Sequence, residues 1–298
     1  MENINLKVLS FSKNSQKIIN GTEISENLKL QVKNEILSLK NKINRSPKLV
    51  VILVGENPAS KVYVGNKQKT SLEIGIQSEI IKLDENTNQN ELINIIKKLN
   101  VDANVDGILV QLPLPKQICE LEILKTINPL KDVDCFHPEN VGLMLIGKPR
   151  FLPCTPAGII EMLKQKNITL EGKNVVVIGR SNIVGKPLAL LLLQNNATVT
   201  ICHSKTKNLE KLTQKADILI VAIGKANFLT KDMIKKNSII IDVGINRIDN
   251  KLYGDVNFKD VFEKASFITP VPGGVGKMTI IMLMKNTVSA YKIHNKII

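Results

Sequence analysis

The chain has 298 residues, 43% of them apolar and 23% charged, with a formal net charge of +14 at pH 7. That is the make-up of a globular protein of one large or two ordinary domains, and no apolar run approaches the roughly 18 residues of a membrane span. The basic excess does not argue for nucleic acid, because the lysines are scattered, tryptophan is absent and only 3 tyrosines offer stacking; steering of anionic small molecules fits it better.

Met1 to Ser10 lacks the charged-then-apolar order of a signal peptide, so the cytoplasm is the expected location. The four cysteines, Cys119, Cys135, Cys154 and Cys202, form no C-x-x-C or His/Cys cluster. They read as reduced intracellular thiols, not as zinc ligands or a disulfide framework.

Residues 1–20 read as a polar lead-in followed by a short extended piece. Thr22 can cap a helix to about Lys42, with Ile24, Leu28, Val32, Ile36 and Leu39 in one stripe. Lys48 to Val54 is a nearly all-apolar strand of the kind buried on both faces. A helix starts at Asn57-Pro58, an N-cap followed by a favoured first helical residue, and runs toward Gly75. Next come a strand near 79–83, a helix at 89–99, a strand at 105–110 and a helix near 117–127. This alternation predicts parallel βαβ units.

The loop-rich tract from Asn128 to Pro153 is the best domain boundary. A second alternation follows, with a helix from Pro156 and strands at 174–178, 197–202, 217–222, 238–243 and 267–269. The last predicted helix runs from Met278 to about Ile293. The fold class is therefore α/β with two domains.

Val175-Val176-Val177-Ile178-Gly179-Arg180-Ser181 leads through Gly185 into a helical pattern beginning at Leu188. A buried strand turning into a helix offers free amide N–H groups and a positive dipole end, a place for phosphate. The glycines do not follow the G-x-G-x-x-G spacing, so a plain strand–helix turn is the competing reading. The next strand ends in His203-Ser204-Lys205-Thr206-Lys207, with no acid to take ribose hydroxyls. Hydroxyl and cations there favour NADP over NAD, against the alternative of a solvated lysine loop.

Other residues suit chemistry at strand ends, where open parallel sheets bind ligands. Tyr63 and Lys67 are four apart on one helix face, a spacing equally common in surface packing. A lysine held beside an apolar neighbour can serve proton transfer. Gln111 ends a strand, and its carboxamide can both donate to and accept from a heterocycle edge. In Lys131-Asp132-Val133-Asp134 either acid suits a heterocycle's N–H groups or a turn. Thr269-Pro270-Val271-Pro272-Gly273-Gly274-Val275-Gly276 is rigid and then permissive, which suits close approach of backbone to a flat ligand.

In order along the chain stand VGENPAS with YVGNK (54–67), QLPLP (111–115), KDVD (131–134), PCTP (153–156), GRSNIVGKP (179–187), CHSKT (202–206), DVGINR (242–247), GDVNF (254–258) and TPVPGGVG (269–276). Together they resemble the bifunctional methylenetetrahydrofolate dehydrogenase/methenyltetrahydrofolate cyclohydrolase family of one-carbon metabolism.

The resemblance implies oxidation of 5,10-methylenetetrahydrofolate with NADP, then hydrolysis of the methenyl product to 10-formyltetrahydrofolate. It implies a folate-binding catalytic domain at 1–149, with helix 278–298 packing back on it. A Rossmann-like NADP-binding domain would occupy 150–277, with the active-site cleft between the two.

It also implies roles. Lys67 transfers protons, Gln111 supports it, Tyr63 orients the folate and Asp134 holds the pterin, with Pro272, Gly273 and Gly274 on the substrate. Gly179, Arg180 and Ser181 take cofactor phosphates, Ser204 joins Arg180 at the 2′-phosphate, and Ile245 meets the nicotinamide end. A homodimer is implied, and no metal. Two positions depart from the family pattern: Cys135 stands where glycine is usual, and Lys277 where proline is. The first motivates an alternative, a dehydrogenase with weak or lost cyclohydrolase activity.

Overall fold

The computed structural model describes residues 16–40, 42–249 and 251–297; the lead-in expected before Gln16 lies outside them. The described residues divide into two compact units, one of Glu26–Cys154 with 280–297, the other of 16–25 with Thr155–Thr279.

In the first unit, strand β1 (Lys48–Val54) is flanked by β2 (Gln77–Leu83) and β3 (Gly107–Val110) in the parallel order β2-β1-β3. Six of the seven β1 residues are buried, as expected of a strand covered on both faces. Val50, Ile52 and Val54 pack with Ile108 and Val110 against Leu92 and Ile96 of helix α3 (Gln89–Val101) and Ile123 of α4 (Glu120–Thr126). Helix α1 (Gly21–Lys40) buries the stripe expected of it, Ile24, Leu28, Val32, Ile36 and Leu39. Its cap differs: the Asn20 carboxamide accepts from the amides of Thr22 and Glu23 at 3.1 and 3.2 Å, so Asn20 and not Thr22 opens the helix.

Helix α2 (Pro58–Ile74) is bounded by the residues that the sequence singles out. The Asn57 side chain accepts from Ala59 and Ser60 N–H, and Gly75 closes the helix in the left-handed conformation. The tract predicted to be loop holds a further helix, α5 (Pro138–Leu145), whose N-cap is His137; its Nδ1 accepts from Glu139 N at 3.1 Å.

Below β3, Asp106 is fully buried and held by Arg45 through two hydrogen bonds of 2.7 and 2.8 Å, by Lys48 N at 2.9 Å and by His294 at 3.2 Å. Burial alone would raise this carboxyl. The hydrogen bonds from Arg45 and His294, with the Lys48 amide, overcome that and hold it below the ordinary aspartate range.

The second unit carries β4 (Asn174–Ile178), β5 (Thr198–Cys202), β6 (Ile218–Val221), β7 (Ile239–Asp242) and β10 (Phe267–Ile268), all parallel, in the order β10-β7-β6-β4-β5. This is the doubly wound 2-1-3-4-5 arrangement, with its switch point between β4 and β6. Helix α6 (Cys154–Gln165) precedes β4, α7 (Gly185–Gln194) follows it, and α8 (Leu209–Thr213) follows β5. A short antiparallel hairpin, β8 (Asn246–Ile248) with β9 (Lys251–Tyr253), and α9 (Phe258–Val261) were not anticipated.

The described residues before Glu26 cluster with this sheet, whereas the sequence placed them with the first domain. Ile18 bridges Ile268 in parallel and Thr22 N donates to Gly273 O at 3.1 Å. A polar lead-in carries no periodicity that names its sheet. Helix α10 (Val275–His294) ends the fold, and no described helix is long and apolar enough to cross a membrane.

Candidate active site

In the first unit the strand order 2-1-3 places a switch point between β1 and β3. Gln111 N donates to Ile52 O at 2.9 Å, which seats Gln111 at the carboxyl end of that pair. Its side-chain Nε2 donates to Leu112 O at 2.7 Å, so the amide can turn only one way, with Oε1 facing Lys67. Lys67 Nζ donates to that oxygen at 3.0 Å.

Lys67 is 7% exposed. A cation so withdrawn from water needs a fixed polar partner, and Gln111 is one. Ser71 lies one turn further on and donates to Lys67 O at 2.8 Å. Tyr63, one turn earlier on the same face, is half-buried.

Asp134 reaches the same edge by a route that the sequence did not reveal. Residues 131–132 run beside β3, with Ile108 bridging Asp132 in parallel. The chain then turns, with Cys135 N donating to Asp132 O at 3.1 Å, and Asp134 sits on that turn. The two acids of this motif have separate uses. Asp132 is buried and accepts from Phe136 N, His137 N and Asn140 Nδ2 at 3.2, 2.8 and 2.8 Å, so it is the turn residue; burial raises its carboxyl. Asp134 is half-buried. Lys131 points away and caps α3 through Leu99 O and Asp102 O at 2.9 and 2.6 Å.

Cys135 adopts φ 63°, the left-handed region that explains why glycine suits the position. The side chain is accommodated: it is fully buried and its thiol donates to Phe151 O at 3.2 Å. Asn286 of α10, which sequence reasoning passed over, ties the Asp134 turn from behind by donating to Val133 O and Leu152 O, both at 2.8 Å. A lone carboxamide in the apolar run of α10 was its only signal. Burial first, then the neighbouring Asp134 carboxylate, pushes the Cys154 thiol well up, while Lys67 works in the opposite direction. Lys67, Asp134 and Cys154 are thus electrostatic neighbours.

The second unit gathers the nucleotide candidates. Gly179 has φ 131°, and a Cβ there would overlap the Ala222 carbonyl. A Cβ on Gly185 would overlap the carbonyl of Gly179. Both glycines are required by close backbone approach, which answers the plain-turn alternative only in part, since packing alone also demands it. Ser181 Oγ accepts from Val184 N and Gly185 N at 3.2 and 3.4 Å and so shapes the start of α7.

Because β4 and β5 are paired, Gly179 N donates to Cys202 O at 2.9 Å and the exposed Arg180 emerges beside the 203–207 turn. Thr206 Oγ1 accepts from His203 N at 2.9 Å and His203 Nδ1 from Lys205 N at 3.1 Å, which leaves Ser204, Lys205 and Lys207 exposed and no acid present.

Ile245 is 42% exposed and lies against Gly276 at the start of α10. Pro272, Gly273 and Gly274 pack beside residues 21–22 of their own unit, where a Cβ on Gly21 would overlap Gly274 O. Lys277 is exposed in the first turn of α10. All four cysteines are free, and the described residues contain no group of His, Cys, Asp or Glu suited to a metal.

A doubly wound sheet with a glycine turn and no acid at the next strand end, accompanied by a unit bearing a buried lysine, defines an α/β dehydrogenase with a separate substrate-binding unit. The comparisons with known proteins narrow this. Residues 19–134 match the family model "Tetrahydrofolate dehydrogenase/cyclohydrolase, catalytic domain", and residues 153–295 match "Tetrahydrofolate dehydrogenase/cyclohydrolase, NAD(P)-binding domain".

The bifunctional protein FolD of Acetivibrio thermocellus is 56% identical over 281 residues, covering 94% of this chain and 98% of that protein. The crystal structure of the bifunctional enzyme from Campylobacter jejuni superposes with a TM-score of 0.90 at 51% identity, covering 93% of this chain and 99% of that one. The Trypanosoma brucei enzyme, solved with NADP and an inhibitor, gives 0.90 at 35% identity, with 93% and 97% covered. The chain belongs to the tetrahydrofolate dehydrogenase/cyclohydrolase family. It is a bifunctional enzyme that oxidises 5,10-methylenetetrahydrofolate and hydrolyses 5,10-methenyltetrahydrofolate.

Proposed function

We propose that Lys67, fixed by Gln111, moves the proton in the hydrolysis. The observation carrying this is the 3.0 Å contact from Lys67 Nζ to Gln111 Oε1 on a side chain only 7% exposed. When water adds to the methenyl carbon it must lose a proton, and the carbon–nitrogen bond to N5 then breaks to leave the 10-formyl product. A positioned base or acid is worth about 10²–10⁴-fold in such a step. Asp134, held in place by the Asn286 and Asp132 contacts, accepts from the pterin's N–H groups, and Tyr63 orients the ring from the same helix face.

NADP is the cofactor, and the residues present suit it. The glycines at 179 and 185 let backbone pass closely where a side chain would clash with the Ala222 and Gly179 carbonyls, which keeps the strand–helix turn tight, and Ser181 lies on that turn. Arg180 and Ser204 stand on adjacent strand ends, where an NAD site would carry an acid. Bound NADP supplies the hydride acceptor; the chain's task in oxidation is positioning. Ile245 faces the nicotinamide end.

Arg180→Ala is expected to raise the KM for NADP by about tenfold to a hundredfold, the loss of one charge-assisted hydrogen bond, with little change for NAD. Equal changes with both cofactors, read by NADPH and NADH formation, would remove Arg180 from the 2′-phosphate.

The chain acts in the cytoplasm as a homodimer, in keeping with its family and with an edge strand, β5, that exposes Ile201 at 39%. Sedimentation at the mass of a single 33.0 kDa chain would contradict the dimer.

A further inference from the structure

Two carboxylates of the second unit take no part in the chemistry above. Asp255 is fully buried, and four donors converge on it. Its Oδ2 accepts from Ile223 N at 2.7 Å and Gly224 N at 3.0 Å; its Oδ1 accepts from Lys225 N at 2.8 Å and Asn246 Nδ2 at 3.0 Å. Asp242, 3% exposed at the end of β7, anchors the segment carrying Asp255: its Oδ1 accepts from Asp255 N at 2.8 Å and Gly244 N at 3.0 Å, and its Oδ2 from Val256 N at 3.0 Å. The fit is close on all sides. A Cβ on Gly244 would overlap the Asp255 carboxylate, and one on Gly254 would overlap that of Asp242.

The location gives these bonds a purpose. Ile223, Gly224 and Lys225 follow β6, the strand across the switch point from β4, where a doubly wound sheet binds its ligand. Successive backbone N–H groups at such a place ordinarily attract an anion. Here a carboxylate of the chain itself has taken all three, so those groups are closed to the cofactor's phosphates. What the clamp holds instead is the loop's first carbonyl: Ala222 O sits where a Cβ of Gly179 would be, and Ala222 N donates to Ile178 O at 2.8 Å. The path runs from Asp242 to Asp255, to the 223–225 amides, to Ala222, to Gly179.

We propose that Asp255 is a positioning residue for NADP: by holding the 222–225 loop against Gly179 it sets the geometry of the phosphate turn without touching the cofactor. This rests on the placement of NADP at Gly179, Arg180 and Ser181. Replacing the carboxylate by a carboxamide turns one of its two oxygens into an N–H₂ group, which then faces either the Ile223 and Gly224 amides or the Lys225 amide and the Asn246 side chain, donor against donor, so the loop is pushed away from its clamp.

The enzyme's two activities provide the test, because hydrolysis of added methenyltetrahydrofolate needs no NADP. Asp255→Asn is expected to raise the KM for NADP about tenfold or more while hydrolysis by the same preparation stays within about twofold. Arg180→Ala is assayed alongside. An unchanged KM in Asp255→Asn with a raised one in Arg180→Ala overturns the positioning role alone; unchanged values in both overturn the cofactor placement beneath it. A parallel fall of oxidation and hydrolysis shows a general folding role and likewise overturns the proposal. If Asp255→Asn does not fold, Asn246→Ala removes one of the four donors to the same carboxylate. It is then expected to raise the KM for NADP about threefold with hydrolysis intact, and an unchanged KM counts against the proposal.

Discussion

Lys67→Ala is expected to slow hydrolysis of methenyltetrahydrofolate by about 10²–10⁴-fold, the usual worth of a positioned proton-transfer group. NADP affinity should be unaltered. The lysine stem occupies a buried position on α2, and its amine donates to Gln111. The substitution therefore removes the amine while leaving the Asn57 cap, the Gly75 stop and the helix between them in place. Gly179, Arg180, Ser181 and Ser204, to which we assign the nucleotide, belong to the other unit. Loss of NADP binding in a folded variant, measured by titration, would count against the role given to Lys67, as would hydrolysis at the unmodified rate.

The largest expected effect on stability is at Asp106. Asp106→Ala breaks a fully buried carboxylate away from Arg45, His294 and the Lys48 amide. Removing one partner of a buried pair costs about 3–5 kcal/mol; the Arg45 side chain is 24% exposed, which favours the lower end because water can rescue it in part.

The pH dependence has a definite sign. The folded carboxyl lies below its unfolded value of about 3.9, so its contribution is complete above about pH 4 and is lost as the pH falls through the folded value. Urea unfolding of wild type and variant at pH 7 should differ by this amount, and the difference should shrink on acidification below pH 4. A difference that is absent at pH 7, or that grows in acid, contradicts the assignment.

The parts of this fold legible from residues alone are those that combine burial with a clear end signal. Strand β1 and strand β4 have the bounds expected of them, because in KLVVILV and NVVVI a polar first residue opens an unbroken apolar run that is closed by Gly55 and Gly179. Helix α2 was bounded by Asn57-Pro58 and Gly75 for reasons that depend on backbone geometry and not on neighbours. Helix α5 was hidden because its cap is a histidine, an uncommon choice, within a tract dense in proline and glycine; Pro138 at the first helical position was the overlooked clue. The lead-in's attachment to β10 depends on a single parallel bridge at Ile18 that no periodicity announces.

The site was legible in its members more than in its arrangement. Tyr63 and Lys67 at helical spacing describe a surface pair as well as a catalytic one. It is the adjacency of β1 and β3 that brings Gln111 to Lys67, and strand order is a tertiary fact. The two acids of Lys131-Asp132-Val133-Asp134 were indistinguishable until burial and three donors marked Asp132 as structural. Asp242 and Asp255 carry no sequence signal of their link, because the contact joining them crosses thirteen residues and a hairpin. Cys135 stands where the family pattern has glycine. Its buried thiol and the Phe151 carbonyl show how the turn accepts a side chain.

Passage of the one-carbon unit from methylene through methenyl to formyl on this one chain is the property on which the assigned roles depend. Its most direct test is the absorbance of the methenyl intermediate during NADP-driven oxidation by the unmodified enzyme. Methenyltetrahydrofolate is predicted to stay well below the NADPH formed while 10-formyltetrahydrofolate rises. A methenyl signal that climbs in step with NADPH and persists would contradict the account.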